Sequence, residues 1–166
     1  MRNGILARVA AIPATFLQRA RVEGIDDLGQ KVKRVRATGG EPCRDVLRRA
    51  HPGEELILAS YTPFTKAGPY KEFGPIFILA RNNAEPVERE SLPAGSEEDF
   101  LRQQFVIRAY SYAEEIIDAA LVTAAAAQPT IDRFFDRPDA AFLHVRFPAY
   151  GCFACRLDRP LVPHSP

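Results

Sequence analysis

The stretch DAAFLHVRFPAYGCFACRLD (139–158) contains two alternating runs, separated by Pro148 and Gly151. In the first run Leu143 and Val145 share one face, while His144 and Arg146 share the other with Phe142, because successive side chains of a β-strand point to opposite sides. The second run, GCFACRLD (151–158), alternates in the same way. The stretch therefore predicts a C-terminal β-hairpin with a loop at 148–150 and a glycine in the turn.

Matching the apolar faces of the two runs sets residue 145 opposite 153 and residue 143 opposite 155. Cys152 and Cys155 then point to opposite faces, with Cα atoms about 10 Å apart at about 3.3 Å per residue. That distance exceeds the roughly 7 Å limit for a disulfide, and it keeps the two thiolates from one zinc ion. We expect Cys155 in the core and no redox or zinc function for the pair, unless AYGCFAC (149–155) is a turn instead.

Apolar runs bounded by Pro and Gly predict further strands at 56–62 and 75–80, and β-branched and aromatic residues predict one at 104–112. The pattern of 115–123 fits strand or helix; we favour a strand, since Thr123 then makes a natural N-cap for the next segment. Short helices are expected at 13–22, ended by Gly24, at 42–50, ended by Pro52 and Gly53, and after Thr123 as N-cap, with a kink or a fresh start near Gln128. The fold class is thus α+β: a single domain, mainly antiparallel sheet, with a few short helices and the C-terminal β-hairpin.

Length and composition agree with one ordinary globular domain of 166 residues, 46 % hydrophobic and 26 % charged. We expect this domain to cover 1–159, with a surface loop at 81–99 and a disordered tail at 160–166. Three cysteines are too few for a secreted disulfide framework, which favours a cytoplasmic location over a weak N-terminal export signal. No run approaches the roughly 18 apolar residues of a membrane span.

The small net charge conceals an uneven distribution. Residues 1–50 hold 11 Lys or Arg against 5 Asp or Glu, and the basic part includes KVKRVR (31–36). A basic face can attract nucleic acid through its phosphates. However, this run has no interleaved aromatics on which bases could stack, so we expect a solvated strand face and no nucleic acid partner.

The segment TGGEPCRDVLRR (38–49) contains the remaining cysteine, Cys43. Pro42 suits the first turn of a helix, which would place Cys43 where exposed amides and the helix dipole favour a thiolate. Arg44 would lower the thiol pKa further. The competing interpretation is a core stripe, because Cys43, Val46, Leu47 and Ala50 follow the i, i+3, i+4, i+7 spacing.

A ligand site is suggested by the proline-rich stretch SYTPFTKAGPYKEFGPIF (60–77), which is stiff and displays Tyr70. A well-packed Ω-loop is an equal alternative. Together with the 42–50 segment and the hairpin, this stretch would form a site for a small anionic ligand. The expected ligand-binding residues are Arg44, Tyr70, Arg108 and Arg146. The sequence indicates no cofactor and leaves the oligomeric state open.

Two other functions are considered. A cysteine-dependent enzyme would use Cys43 or Cys152 as nucleophile and His144 as base, although no motif fixes such a couple. A structural zinc site would gather Cys43, His144, Cys152 and Cys155, against which the strand geometry argues. We therefore expect folding without metal.

Several segments in order carry a resemblance: GGEPCRDVLRRAHPGEELILASYTPF (39–64), GPYKEFGPIFILA (68–80), RAYS (108–111) and AYGCFACRLDR (149–159). The chain resembles a bacterial family known as a domain of unknown function, number twelve hundred and three. The resemblance implies a single small domain in a bacterial protein. It implies no activity, cofactor or catalytic residue.

Overall fold

The computed structural model describes residues 5–82 and 85–160. Strands are the main regular structure of this chain, with two short helices, which confirms the predicted fold class. In chain order the elements are β1 Ile5–Leu6, β2 Arg8–Val9, α1 Ala14–Gln18, β3 Lys33–Arg36, β4 Pro42–Cys43, β5 Arg48–Arg49, β6 Glu55–Tyr61, β7 Gly74–Leu79, β8 Ser91–Leu92, β9 Gln104–Tyr110, β10 Ile116–Thr123, α2 Ala127–Phe135, β11 Phe142–Arg146 and β12 Phe153–Asp158. The four strands expected at 56–62, 75–80, 104–112 and 115–123 are β6, β7, β9 and β10.

Two five-stranded sheets dominate the fold. Sheet A has the order β10-β9-β11-β12-β2 and is antiparallel throughout. Sheet B has the order β3-β6-β7-β4-β5 and contains one parallel pair, β4 with β7. The short strands β1 and β8 pair with each other, so the predicted loop at 81–99 includes a strand. The basic run lies on β3, an edge of sheet B with mostly exposed side chains.

Alternation along the strands divides the core. In β6, Ile57 and Ala59 contact the cluster that includes α1, whereas Leu56 packs on the other face of sheet B. Sheet A buries a second cluster against α2 through Leu143, Val145 and their neighbours. Phe153 of β12 packs into the α1 cluster and so joins the two sheets.

Each of the two confirmed helices carries one expected signal, Gly24 at the end of the first and Thr123 before the second. Helix α1 continues into a π-helical turn that ends at Gly24, whose φ of 69° lies in the left-handed region that glycine tolerates. The Thr123 hydroxyl accepts a hydrogen bond from the amide of Ala126, 3.3 Å away, and caps the 3₁₀ turn before α2. Pro129 falls in the first turn of α2, where its missing N–H costs no intrahelical bond.

The helix predicted at 42–50 is wrong. The segment forms a β-hairpin, β4 and β5, closed further out by backbone bonds between Gly40 and Ala50 and between Ala50 and Glu41. Leu47 has a φ of 52°, a left-handed conformation in which a helix does not continue. A nine-residue helix is only marginally stable by itself. As a strand, the segment instead gains backbone hydrogen bonds from the pairing of β4 with β7.

The C-terminal hairpin is confirmed, but its predicted register is wrong. Val145 lies opposite Cys155 rather than 153, and the register shifts between Val145 and Arg146, so that Ala154 is an extra residue in a β-bulge. The turn at 148–150 is present, and Gly151 has the expected positive φ, 73°.

The bulge decides where the two neighbouring thiols lie. Cys155 is buried as expected, but Cys152 packs against the same apolar cluster, so the prediction of opposite faces is wrong. Because Ala154 is an extra residue, Cys152 and Cys155 lie on the same face of the sheet, whereas strict alternation would place them on opposite faces. All three cysteines are free thiols. The tail prediction at 160–166 falls almost entirely outside the described residues.

Candidate functional site

Four basic side chains share one face of sheet A. His144 of β11 lies directly opposite Arg108 of β9 on one side and Arg156 of β12 on the other. Residues directly opposite each other in neighbouring strands have side chains on the same face. Arg146, two residues beyond His144 on β11, also shares that face. We call Arg108, His144, Arg146 and Arg156 the basic face.

His144 is completely buried at the centre of the basic face. Four aromatic rings surround its imidazole, with centroids 4.6–5.1 Å away: Phe64, Tyr110, Phe142 and Phe153. Neither ring nitrogen has a hydrogen-bond partner among the described residues. Burial, followed by the charges of Arg146, Arg156 and Arg108, lowers the pKa of His144 well below 6.5. The imidazole is therefore neutral near pH 7, with one donor and one acceptor unused.

Residues 62–73, which we call the covering loop, lie over the basic face. Phe64 packs on the rings of His144 and Tyr110 at 5.1 and 5.4 Å. At the other end of the loop, the carboxylate of Glu72 bonds Arg146 and lies 3.6 Å from Arg108. The loop thus places a ring on the imidazole and a carboxylate on two of the three guanidinium groups.

The Phe64 end of the covering loop is held firmly. The buried carboxylate of Glu114, in the turn between β9 and β10, accepts bonds from the amide and hydroxyl of Thr65 at 3.1 and 2.7 Å and from the amide of Lys66 at 3.0 Å. Burial alone would raise the pKa of Glu114, but these hydrogen bonds outweigh it and the pKa is lowered. This carboxylate anchors the loop in its charged form.

Arg146 is the most constrained charge of the site. Its side chain is 6 % exposed, and it donates to Glu72 and, over 3.1 Å, to the carbonyl of Gly151. Its buried Nε has no partner among the described residues. Arg156 is more open: it pairs with Asp158 at 2.7 Å and stacks over the ring of Phe142 at 4.0 Å.

Two clefts open beside the covering loop. The smaller, about 140 Å³, is lined by Glu72, Arg146, Tyr150 and Cys152 among others. The larger, about 250 Å³, has Arg156 at its wall together with Thr62 and Phe64. The two clefts have three lining residues in common, Tyr61, Pro63 and Phe153. These apolar side chains form the wall between the clefts. Each cleft combines an arginine with an apolar surface, as small-molecule sites do.

Cys43 does not lie at a helix N-terminus. It is fully buried in β4, and its Sγ lies 3.6 Å from the carbonyl of Glu41. Burial, followed by the charge of Asp45, raises the pKa of the Cys43 thiol to about 12. A helix dipole therefore does not activate the Cys43 thiol, so that interpretation is wrong. The alternative interpretation, that Cys43 is buried in the core, is confirmed.

The structure brings no cysteine to His144. The Sγ of Cys152 lies 3.7 Å from the carbonyl of Tyr150, and both nitrogens of His144 are without partners in the described part of the chain. A nucleophile and its base need hydrogen-bond contact, and neither Cys43 nor Cys152 has it. Nor do residues 5–82 and 85–160 contain any group of three or more His, Cys, Asp or Glu side chains placed to hold a metal ion.

Two expected ligand residues lie apart from the basic face. Arg44 is buried and donates to the carbonyls of Phe153 and Pro42, at 2.9 and 2.7 Å. Burial lowers the pKa of Arg44 to about 10. Tyr70 is exposed on the covering loop, and no hydrogen bond, ion pair or ring contact in the described ranges joins it to Arg44 or Cys43. The GGEPCR segment instead runs beside β7.

Of the expected ligand residues, the structure brings together Arg108 and Arg146. Sequence reasoning missed Arg156 as a member of the site, as well as Glu114 as the anchor of the loop. Arg156 could have been found from the alternation of FACRLD (153–158) together with the correct register. Glu114 carries no such signal, because it lies in a turn distant in sequence from the loop it holds.

The chain belongs to the family described as Protein of unknown function (DUF1203), whose model matches residues 40–159. The matched range includes the covering loop and all four residues of the basic face. No curated protein and no solved structure is significantly similar to the chain. In the described residues, no helix has the length and apolar character needed to cross a bilayer.

Proposed function

We propose that this protein is a small binding protein that holds an anionic ligand at the basic face, beneath the covering loop. One observation carries the proposal: three arginines flank a buried histidine on one sheet face, and both nitrogens of that histidine lack partners among the described residues. Buried polar groups without partners are rare, so the unpaired imidazole singles out this sheet face as the place where a ligand would bind.

The charges at the site favour an anion. Three guanidinium groups face two carboxylates, Glu72 and Asp158, which leaves an excess of one positive charge. His144 adds none, because its pKa is lowered. Arginine presents a planar fork of donors that matches a carboxylate or a phosphate, and contacts of this kind are stronger than neutral hydrogen bonds.

Thermal unfolding with a panel of anions at fixed ionic strength tests the proposal. The panel contains acetate, butyrate, phosphate, sulfate and citrate. A ligand present at ten times its Kd should stabilise the fold by about 1.4 kcal/mol, which raises the Tm by roughly 3–6 °C in a domain of this size. Arg108→Met should abolish the shift, because the Arg108 side chain is 31 % exposed and can be replaced without a buried cavity.

Arg36→Met is the matched control, since Arg36 is 70 % exposed on β3 and lies outside the basic face. The proposal fails if no anion stabilises the wild-type protein. It fails equally if the shift disappears in Arg36→Met, because the effect would then reflect general charge screening.

A further inference from the structure

The ion pair between Glu72 and the two arginines is asymmetric. The Arg146 side chain is 6 % exposed and fixed in sheet A, whereas the Glu72 side chain is 43 % exposed on the covering loop. In the described ranges, Glu72 is the only carboxylate within 4 Å of Arg146 or Arg108. A carboxylate thus pairs with the buried guanidinium of Arg146, and the side chain that supplies this carboxylate is open to solvent.

Exchange of this carboxylate for another keeps the charge balance of the site. Removal of Glu72 alone would leave a buried guanidinium unpaired, which is costly. Replacement by a second carboxylate restores the same charge and the same hydrogen bonds. A phosphate would place a tetrahedral group where a planar carboxylate lies now.

The covering loop can release Glu72 without coming away from the sheet. Glu114 holds the loop at Thr65 and Lys66, whereas residues 67–70 are exposed. A movement of Glu72 thus needs only the segment after Lys66 to change conformation. Phe64 stays on the ring of His144.

The smaller cleft limits what can take the place of Glu72. Its volume is about 140 Å³, below the ~300 Å³ at which pockets for drug-sized ligands begin. Besides Arg146, its walls include the apolar side chains of Tyr61, Pro63 and Phe153. A charged head with a short apolar body fits such walls, whereas a highly polar body does not.

We propose, on the basis of the proposed function, that the ligand is a small monocarboxylate with a short apolar body, and that its carboxylate displaces Glu72 from Arg146 and Arg108. The body lies against Tyr61, Pro63 and Phe153. Glu72 is accordingly a competitor built into the chain, and it sets the concentration of carboxylate at which the site fills.

Isothermal titration with butyrate, acetate and inorganic phosphate tests this proposal in the wild-type protein and in Glu72→Gln. If Glu72 pairs with the arginines in about nine molecules of ten, its removal raises the affinity for butyrate about tenfold. Butyrate should bind about tenfold more tightly than acetate, because two methylene groups are buried. Phosphate should bind more weakly than either. Glu98→Gln removes an exposed carboxylate outside the loop and should titrate as the wild type does.

Hydrogen exchange of the wild-type protein gives a second measurement that needs no variant. Saturating butyrate should accelerate exchange in peptides that cover 67–73 and leave the protection of Thr65 and Lys66 unchanged.

The outcomes separate this inference from the proposed function. Affinity for butyrate that is equal or weaker in Glu72→Gln, phosphate binding tighter than butyrate, or unchanged exchange at 67–73 overturns the inference alone, provided that Arg108→Met still abolishes anion binding. If no probe binds either protein, both proposals fall.

Discussion

At the scale of single residues, the most unusual feature is a neutral histidine enclosed by aromatic rings and arginines. Two unused polar atoms in such a place cost roughly 1–3 kcal/mol each when nothing satisfies them. The charges of Arg146, Arg156 and Arg108 add to burial in lowering the pKa of His144. A group with a lowered pKa makes stability depend on pH.

We therefore expect stability to fall as the pH drops below about 6.5. In this range the unfolded chain takes up a proton at His144 that the folded chain does not, so acid favours unfolding by up to about 1.4 kcal/mol per pH unit. Above 6.5 both states are neutral at this residue and the contribution is flat. Denaturant unfolding between pH 5 and 7.5 measures the slope.

His144→Leu, with a side chain of similar volume and no polar atom, should remove this slope and leave stability at pH 7.5 unchanged or higher. The exposed His51 is the control, and His51→Gln should keep the slope. A slope that persists in His144→Leu would assign the pH dependence to other groups.

At the scale of elements, the C-terminal hairpin shows how one extra residue rearranges a site. The bulge at Ala154 sets Arg156 beside His144 and turns Cys152 to the face of Cys155. Gly151 permits the turn, because its φ of 73° is in the left-handed region. A Cβ at this position would meet no atom within 4 Å, so only the backbone conformation resists substitution.

Gly151→Ala should accordingly destabilise the protein by about 1 kcal/mol, the cost of a left-handed backbone for a residue with a Cβ. Gly68→Ala is the matched control, since Gly68 is also open to solvent but has no positive φ. It should be neutral or slightly stabilising. Equal effects of the two substitutions in urea unfolding would contradict this account of the turn.

At the scale of the whole molecule, the two sheets determine which thiols solvent can reach. Cys43 lies in the apolar cluster on one face of sheet B, and Cys155 in the cluster between sheet A and α2. Burial raises the pKa of both thiols to about 12. Cys152 alone is partly exposed.

We expect one thiol of three, Cys152, to react with iodoacetamide in the native protein near neutral pH. Cys43 and Cys155 should react only as fast as the fold opens, because a thiolate forms when water reaches the sulfur. Peptide mapping after timed alkylation identifies the modified residues. Rapid native labelling of Cys43 in Cys152→Ser would show that sheet B opens more readily than its packing indicates.

The sequence alone determined the elements with strong local signals. Apolar runs and β-branched or aromatic content identified β6, β7, β9 and β10, and alternation identified both strands of the hairpin. Gly24 and Thr123 marked helix ends. These signals are local, because side-chain period and backbone conformation are local properties. The pattern also offered burial of Cys43 as one of two interpretations, and it named Arg108 and Arg146 as ligand candidates.

The tertiary structure decided what depends on distant partners. Pairing with β7 made a hairpin of the expected helix at 42–50, since a strand gains hydrogen bonds from a neighbour that a local pattern does not reveal. One bulge changed the register, and with it the side on which Cys152 lies and the neighbour of His144. The ion pair of Glu72 with Arg146 joins residues 74 positions apart. Spacing along the chain carries no information about such a contact, because only the packing of the covering loop on sheet A brings the two charges together.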